Sequence, residues 1–397
     1  MGATTKITHR GLRVLGQHAP GPLTAIALSV RAGARFDGDH PGIAHVAEHM
    51  LFQGTPGMDQ RELNHRAAEL GGEHNADTGY ETVTLTFEVF NEDVDDALGL
   101  LAEQYYHTEV SADRWNKERR VVLDELRGRM DDPTDRLHNR AWSAFFGGAI
   151  AHPICGTVKS LRRIETDEIR AFLHGHFVHE RSALGLVGGF DPDQLRPWIR
   201  RHFSQASRPA GPIPEVSSGR AGRLRCSGGN GQATLLAMME VAPQPHELIA
   251  VGLALDMLGA DPDSRLFQEI RERLGLGYDV SAHLDWGPDW AVASVSASAG
   301  RASVKRLEAA MEDVMREAAE SGFGEDELRR ARKKLRYRYA SLAESRMDRA
   351  ISLAEGTLSG FPLPHEAERL VAKVSRERVE AAWRQVVAAR RLWAISA

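Results

Sequence analysis

The chain has 397 residues, 42% of them hydrophobic and 26% charged, a composition that fits a globular protein of two or three domains and excludes a disordered chain or a mini-protein. Fifty Lys and Arg against fifty-five Asp and Glu give a net charge of −5, which leaves no basic footprint for nucleic acid. Two cysteines without CxxC spacing exclude a disulfide scaffold, and with no apolar run of membrane-spanning length and no leader pattern at the N-terminus the expected setting is cytoplasmic, with no membrane partner.

In chain order, GLRVL and LTAIALSVRAG read as strands from their aliphatic and β-branched runs, and a helix is expected around Ile43 to Gln53. TVTLTFEVF, from Thr82 to Phe90, reads as a strand and is followed by an amphipathic helix over Asp93 to His107. LGLVGGFDPDQL, from Leu184 to Leu195, reads as a strand, a glycine turn and an Asp-capped helix. The Pro-, Gly- and Ser-rich run from Arg208 to Gly222 has no periodicity and is the natural boundary. It predicts an N-terminal domain over 1–207, a linker over 208–222 and a C-terminal domain over 223–397.

Beyond the linker the same order returns. RLRCSG and ATLLAMMEVA read as strands, Leu248 to Leu258 as a helix, AVASVSASA as a strand and Val304 to Ser321 as a long helix. Another helix starts near Gly324, acidic in its first turn and basic later, as the helix dipole favours. The repeated order predicts an α+β fold made by duplication of one unit.

The sharpest local signal is HVAEHMLFQGT, an HxxEH motif with His45, Glu48 and His49. On a helix, positions i and i+4 share a face, so both imidazoles reach one ion while Glu48 stands beside them to move a proton. The bland alternative is a chance surface cluster. A catalytic metal of this kind takes three protein ligands and keeps one open position. ERRVVLDELRGR supplies Glu118 and Glu125, seven residues apart and so on one helical face, and spacing alone does not choose between them.

The order HVAEHMLFQGT then ERRVVLDEL, with Glu125 standing 76 residues after His49, resembles the pitrilysin-like M16 metallopeptidases, which include mitochondrial processing peptidases and insulin-degrading enzyme. The resemblance implies two homologous α/β-sandwich domains, each an antiparallel-rich sheet packed by helices, forming half of a clamshell. It implies Zn2+ held by His45, His49 and Glu125, with Glu48 as the catalytic base and Glu118 supporting the site without binding metal. GGEHNADTGYETVTLTFEV resembles the family stretch in which an Asn-Ala pair, here Asn75 and Ala76, meets substrate on an edge strand, and Phe52 beside the motif joins that substrate-contacting set. SRLFQEIRERLGLGYDVSA resembles the family's Arg/Tyr signature, carried by Arg271 and Tyr278, which would orient peptide carbonyls and stabilise developing negative charge. The second half has no HxxEH, so only the first repeat is expected to be catalytic.

The implied activity is a zinc endopeptidase acting on peptides or small unfolded polypeptides within a dimeric chamber. A homodimer is expected, or a heterodimer with another M16 subunit, in which Arg271 and Tyr278 of one subunit complete the site of the other. The rivals are a dedicated leader or precursor maturation peptidase with the same site, and a noncatalytic partner or scaffold subunit, which the intact motif residues disfavour. Val46 and Ala47 stand where bulkier residues are common in the family, and LGADPDSRL lacks the long glycine-rich loop of the noncatalytic processing-peptidase subunit. Two other clusters read as structural: His174, His176 and His179 as packing or solvated residues, and the run from Leu328 to Tyr339 as a mixed charged helix face. Cys155 and Cys226 read as buried small apolar residues.

Overall fold

A computed structural model describes residues 4–227, 231–259, 261–277 and 279–396. Neither of its two compact units is a continuous segment: the first joins 1–127, 152–215 and 342–363, and the second joins 128–151, 216–341 and 364–397.

The first unit is built on six strands, β1 (Thr4–His9), β2 (Leu12–His18), β3 (Leu23–Val30), β4 (Glu73–Thr78), β5 (Val83–Phe90) and β6 (Ser182–Gly188). They lie in the order β1-β2-β6-β3-β5-β4, antiparallel except where β2 runs parallel to β6. Three helices matter for the site: α1 (Ile43–Leu51), α2 (Val94–His107) and α3 (Ala112–Asp131). The central strand β3 is buried nearly throughout because both faces of the sheet are covered, and it therefore reads as a continuous apolar run rather than an alternation. Ile26, Leu28 and Val30 join a core with Val46, Met50, Leu98 and Leu101, while Ala25 and Ala27 face Ala350, Leu353 and Ala354 on the helix Arg346–Ser359.

The second unit repeats the plan. Its strands are β7 (Gly222–Cys226), β8 (Gln232–Glu240), β9 (Val280–Trp286), β10 (Ala291–Gly300) and β11 (Arg391–Ser396), in the order β7-β11-β8-β10-β9. The pair β7–β11 is parallel, as β2–β6 is, and every other pair is antiparallel. The helices α4 (Pro245–Gly259), α5 (Val304–Ser321) and α6 (Glu325–Glu344) follow the same strands as α1, α2 and α3. The duplicated α+β fold expected from the sequence is thus present: the five strands of the second sheet match the order of β2-β6-β3-β5-β4, and β1 is an extra edge strand of the first. No helix among the described residues is long and apolar enough to cross a membrane.

The predicted domain limits are corrected by these contacts. A sheet buried on both faces needs a second helical cover, and each unit takes one from the far side of the linker: Arg346–Ser359 for the first, Pro133–Phe145 for the second. The 208–222 segment is itself tied down. Buried Arg181 donates to the carbonyls of Gly211 and Pro212 at 2.8 and 2.9 Å, buried Arg35 donates to that of Pro214 at 2.7 Å, and Val216–Ser218 pairs with Phe146–Gly148.

The borrowed helix lies so close to β6 that a Cβ on Gly185 would stand 2.1 Å from the carbonyl oxygen of Ala350. Gly185→Ala is therefore expected to lower stability by about 1–3 kcal/mol or more, whereas Gly175→Ala, in an open helical position, is expected to be neutral or to stabilise by about 0.5–1 kcal/mol. Thermal melts of both variants check this; equal melting points would refute the close packing.

Candidate metal centre

The helix that carries HxxEH is fixed at its start by a side chain from outside it. Gly42, at φ 96°, precedes α1, and buried Asp37 accepts the N–H groups of Gly42 and Ala44 at 2.6 and 2.9 Å. A Cβ on Gly42 would meet the Cys155 carbonyl at 3.0 Å, so both the turn and the packing call for glycine. Ile43, Ala44, Val46, Ala47, Met50 and Leu51 are buried, so the small Val46 and Ala47 are absorbed into the core.

Against α1 lies α3. Its buried positions Trp115, Glu118, Val122 and Leu126 follow helical periodicity, and the Trp115 indole N–H donates to the Ile164 carbonyl at 2.9 Å, pinning the helix. The polar members of the two facing stripes meet rung by rung. His45 Nε2 and His49 Nε2 lie 3.6 and 3.4 Å from the same Glu125 oxygen, His49 Nδ1 lies 2.8 Å from Glu118 Oε1, and Gln53 Nε2 donates to Glu118 Oε2 at 2.7 Å.

Donor atoms of His45, His49 and Glu125 lie within 4.8 Å of one another, the one such grouping of three metal-binding side chains among the described residues. The chemistry of the set fits a divalent cation. Glu118 as a carboxylate only accepts, so His49 donates from Nδ1 and turns Nε2 toward Glu125. In a neutral ring that Nε2 is an acceptor facing another acceptor, an arrangement that a cation between them satisfies. Two imidazoles and one carboxylate with an outer carboxylate on one imidazole is a zinc donor set.

Around this set the electrostatics are specific. Burial works against a charged His49, yet the Glu118 hydrogen bond and the carboxylates of Glu48 and Glu125 outweigh it and hold its pKa above the ordinary value. Burial also pushes the Glu48 carboxyl up, aided by Asp77 and Glu125 and opposed by Thr78 and His49. Thr78, at the end of β4, donates its hydroxyl to Glu48 Oε2 at 2.5 Å. Glu48 thus stands on α1 against Thr78, and Glu118 stands on α3 against His49.

Edge strand β4 pairs only with β5 among the described strands, with Asn75 opposite Thr86 and Ala76 opposite Leu85. Asn75 is exposed and Ala76 half-buried. His74 fixes this strand to α1. Its ring stacks on Phe87 at 4.3 Å and meets Phe52 at 4.9 Å, and it bonds Gln104, whose amide donates to the Leu51 carbonyl. Burial lowers its pKa to about 4, so it packs as a neutral ring. Phe52 is partly buried at the end of the zinc-motif helix.

Arg271 belongs to the second unit, on a π-helical turn over Gln268–Arg273, with its guanidinium 4.9 Å from the Phe267 ring centre. It lines a cavity of about 760 Å³ with Gln232, Thr234, Asp279 and Ser298. Tyr278 lies outside the described residues. The sequence reading did not find Asp37, Gln53, Thr78 or Gln104. Only Asp37 left a signal, an acidic residue in a turn-rich run just before a helix.

The clusters set aside as structural behave so. His176 packs on Phe36 and Phe172, and His179 is buried against the Tyr106 hydroxyl. Lys334 and Arg336 pair with Asp263 and Glu368, and both cysteines are buried and free.

Two family profiles match the chain: one described as "Insulinase (Peptidase family M16)" over residues 13–156, and one described as "Peptidase M16 inactive domain" over residues 163–335. Similar proteins include an "Uncharacterized zinc protease" of Mycobacterium leprae, 30% identical over 345 residues, covering 82% of this chain and 76% of that protein. A Bacillus subtilis protein of the same description is 25% identical over 334 residues, covering 82% and 81%. In fold, the chain resembles a protease from Helicobacter pylori at a TM-score of 0.92, 17% identity and full coverage of both chains. It also resembles a "peptidase M16 inactive domain" from Pseudomonas fluorescens at 0.90, 20% identity and 99% and 97% coverage.

Proposed function

Because this chain belongs to peptidase family M16, we propose that it is a zinc-dependent endopeptidase whose metal is held by His45, His49 and Glu125. The observation that carries the proposal is the convergence of both imidazole Nε2 atoms on one Glu125 oxygen, with Glu48 on the same helix. Bound zinc supplies Lewis acidity to a water and to the scissile carbonyl. Glu48, steadied by Thr78, takes the proton of the attacking water and delivers it to the leaving amine. An extended peptide adds to the free edge of β4 along Asn75 and Ala76, which gives backbone-led and sequence-tolerant binding. Phe52 offers an apolar contact for a peptide side chain near the metal.

Glu48→Gln is expected to keep zinc and lower kcat by roughly 10²–10⁴-fold on unfolded peptides, and a chelator is expected to abolish wild-type cleavage reversibly. Cleavage that survives both treatments would overturn the assignment.

The working form in this proposal is a homodimer, in which Arg271 and Tyr278 of the partner subunit orient peptide carbonyls at the zinc site. A Glu48→Gln chain and an Arg271→Ala chain, each nearly inactive alone, are then expected to recover roughly a quarter of wild-type activity when mixed and re-equilibrated, because half of the dimers form between variants and each of these has one intact site. No recovery from variants that fold and dimerise would rule out the shared site.

A further inference from the structure

On α1 and just beyond its end, His45, His49 and Gln53 stand at i, i+4 and i+8, one continuous stripe facing Glu125 and Glu118 on α3. The metal accounts for the first two of these residues. Gln53 lies beyond its reach, yet it is only 3% exposed, and its amide donates to Glu118 Oε2 at 2.7 Å while Glu118 Oε1 receives His49 Nδ1 at 2.8 Å. Glu118 is itself buried. A carboxylate with one oxygen held by Gln53 cannot swing its other oxygen away from His49. His49 is thereby kept donating from Nδ1 with Nε2 aimed at the metal.

We propose that Gln53 is a positioning residue for metal binding: through Glu118 it fixes the tautomer and ring direction of His49, and so sets the affinity of the site for zinc. The proposal rests on the zinc reading of His45, His49 and Glu125. A bare packing role for Gln53 makes the opposite demands on substitution. Met matches glutamine in length and suits a buried site but has no donor. Lys keeps a donor for Glu118 but brings a charge. A packing residue tolerates Met better than Lys, and a positioning residue tolerates Lys better than Met.

The test is zinc affinity, measured by competition between the purified chain and a chromogenic chelator with zinc as the probe, alongside melting of the metal-free proteins. Gln53→Met is expected to raise the zinc dissociation constant by roughly 10-fold, the low end of the effect of losing an outer-shell partner, because Gln53 acts through Glu118. Gln53→Asn, which is smaller and withdraws the amide by one methylene, is expected to weaken zinc binding in the same direction and serves if Gln53→Met does not fold. Gln53→Lys is expected to stay near wild type, and the kcat/KM lost by Met or Asn is expected to return at saturating zinc. Wild-type affinity in the Met or Asn variant, or a Lys variant as weak as Met, would overturn the proposal. A wild-type chain that binds no zinc would overturn the underlying metal reading as well.

Discussion

The buried polar ladder between α1 and α3 is the constraint on which the rest of the first unit depends. Charged and polar groups taken from water cost several kcal/mol each unless fully partnered, and this ladder partners them in register: His45 and His49 with Glu125, His49 and Gln53 with Glu118. A shift of either helix by one residue would break every rung, and neighbouring contacts hold α1 at both ends and α3 near its start. Asp37 and Gly42 fix where α1 begins, Gln104 ties its last turn to His74 on β4, and Trp115 anchors α3 through Ile164. The same strand that presents Asn75 and Ala76 ends in Thr78, which holds Glu48. The proposed substrate edge, base and metal ligands are thus referred to one frame.

The second unit shows what the same frame does without a metal. In α4 and α6, the counterparts of α1 and α3, buried Asp256 pairs with the exposed Arg338. Arg338 holds the same place in α6 that Glu125 holds in α3, fourteenth in a helix of 20 residues. Burial raises the Asp256 carboxyl, opposed by the Arg338 hydrogen bond. Here a guanidinium, rather than a metal, is the cationic partner of a buried carboxylate. The second unit carries no HxxEH, and its Arg271 lies on a π-helical turn, a local geometry common at functional sites.

Much of this was legible in the sequence because its signals are local. The strands at β2, β3, β5, β8 and β10 and the helices at α1, α2, α4 and α5 declare themselves by apolar runs and helical periodicity. The motif fixes His45, Glu48 and His49 by spacing alone, and Glu125 needed the family resemblance to be separated from Glu118. Other features were not legible because they are long-range. The helix Arg346–Ser359 covers a sheet more than 150 residues away in the chain, and its alanine-rich face carries no mark of that destination. The edge strand β9, VSAHLDW, and the closing strand β11 lack a strong alternation. Gln53 and Thr78 are ordinary residue types whose roles arise only when α3 and β4 are brought against α1.

The proposed zinc ion is held by two histidines on α1 and one glutamate on α3. X-ray absorption at the zinc edge of the purified chain tests it most directly. One zinc per chain is predicted, with two imidazole nitrogens at about 2.0–2.1 Å, carboxylate oxygen at about 2.0–2.2 Å and no sulfur, and the signal should be lost from a His45→Ala/His49→Ala variant. A sulfur ligand, an all-oxygen shell, or zinc retained by that double variant would contradict the account.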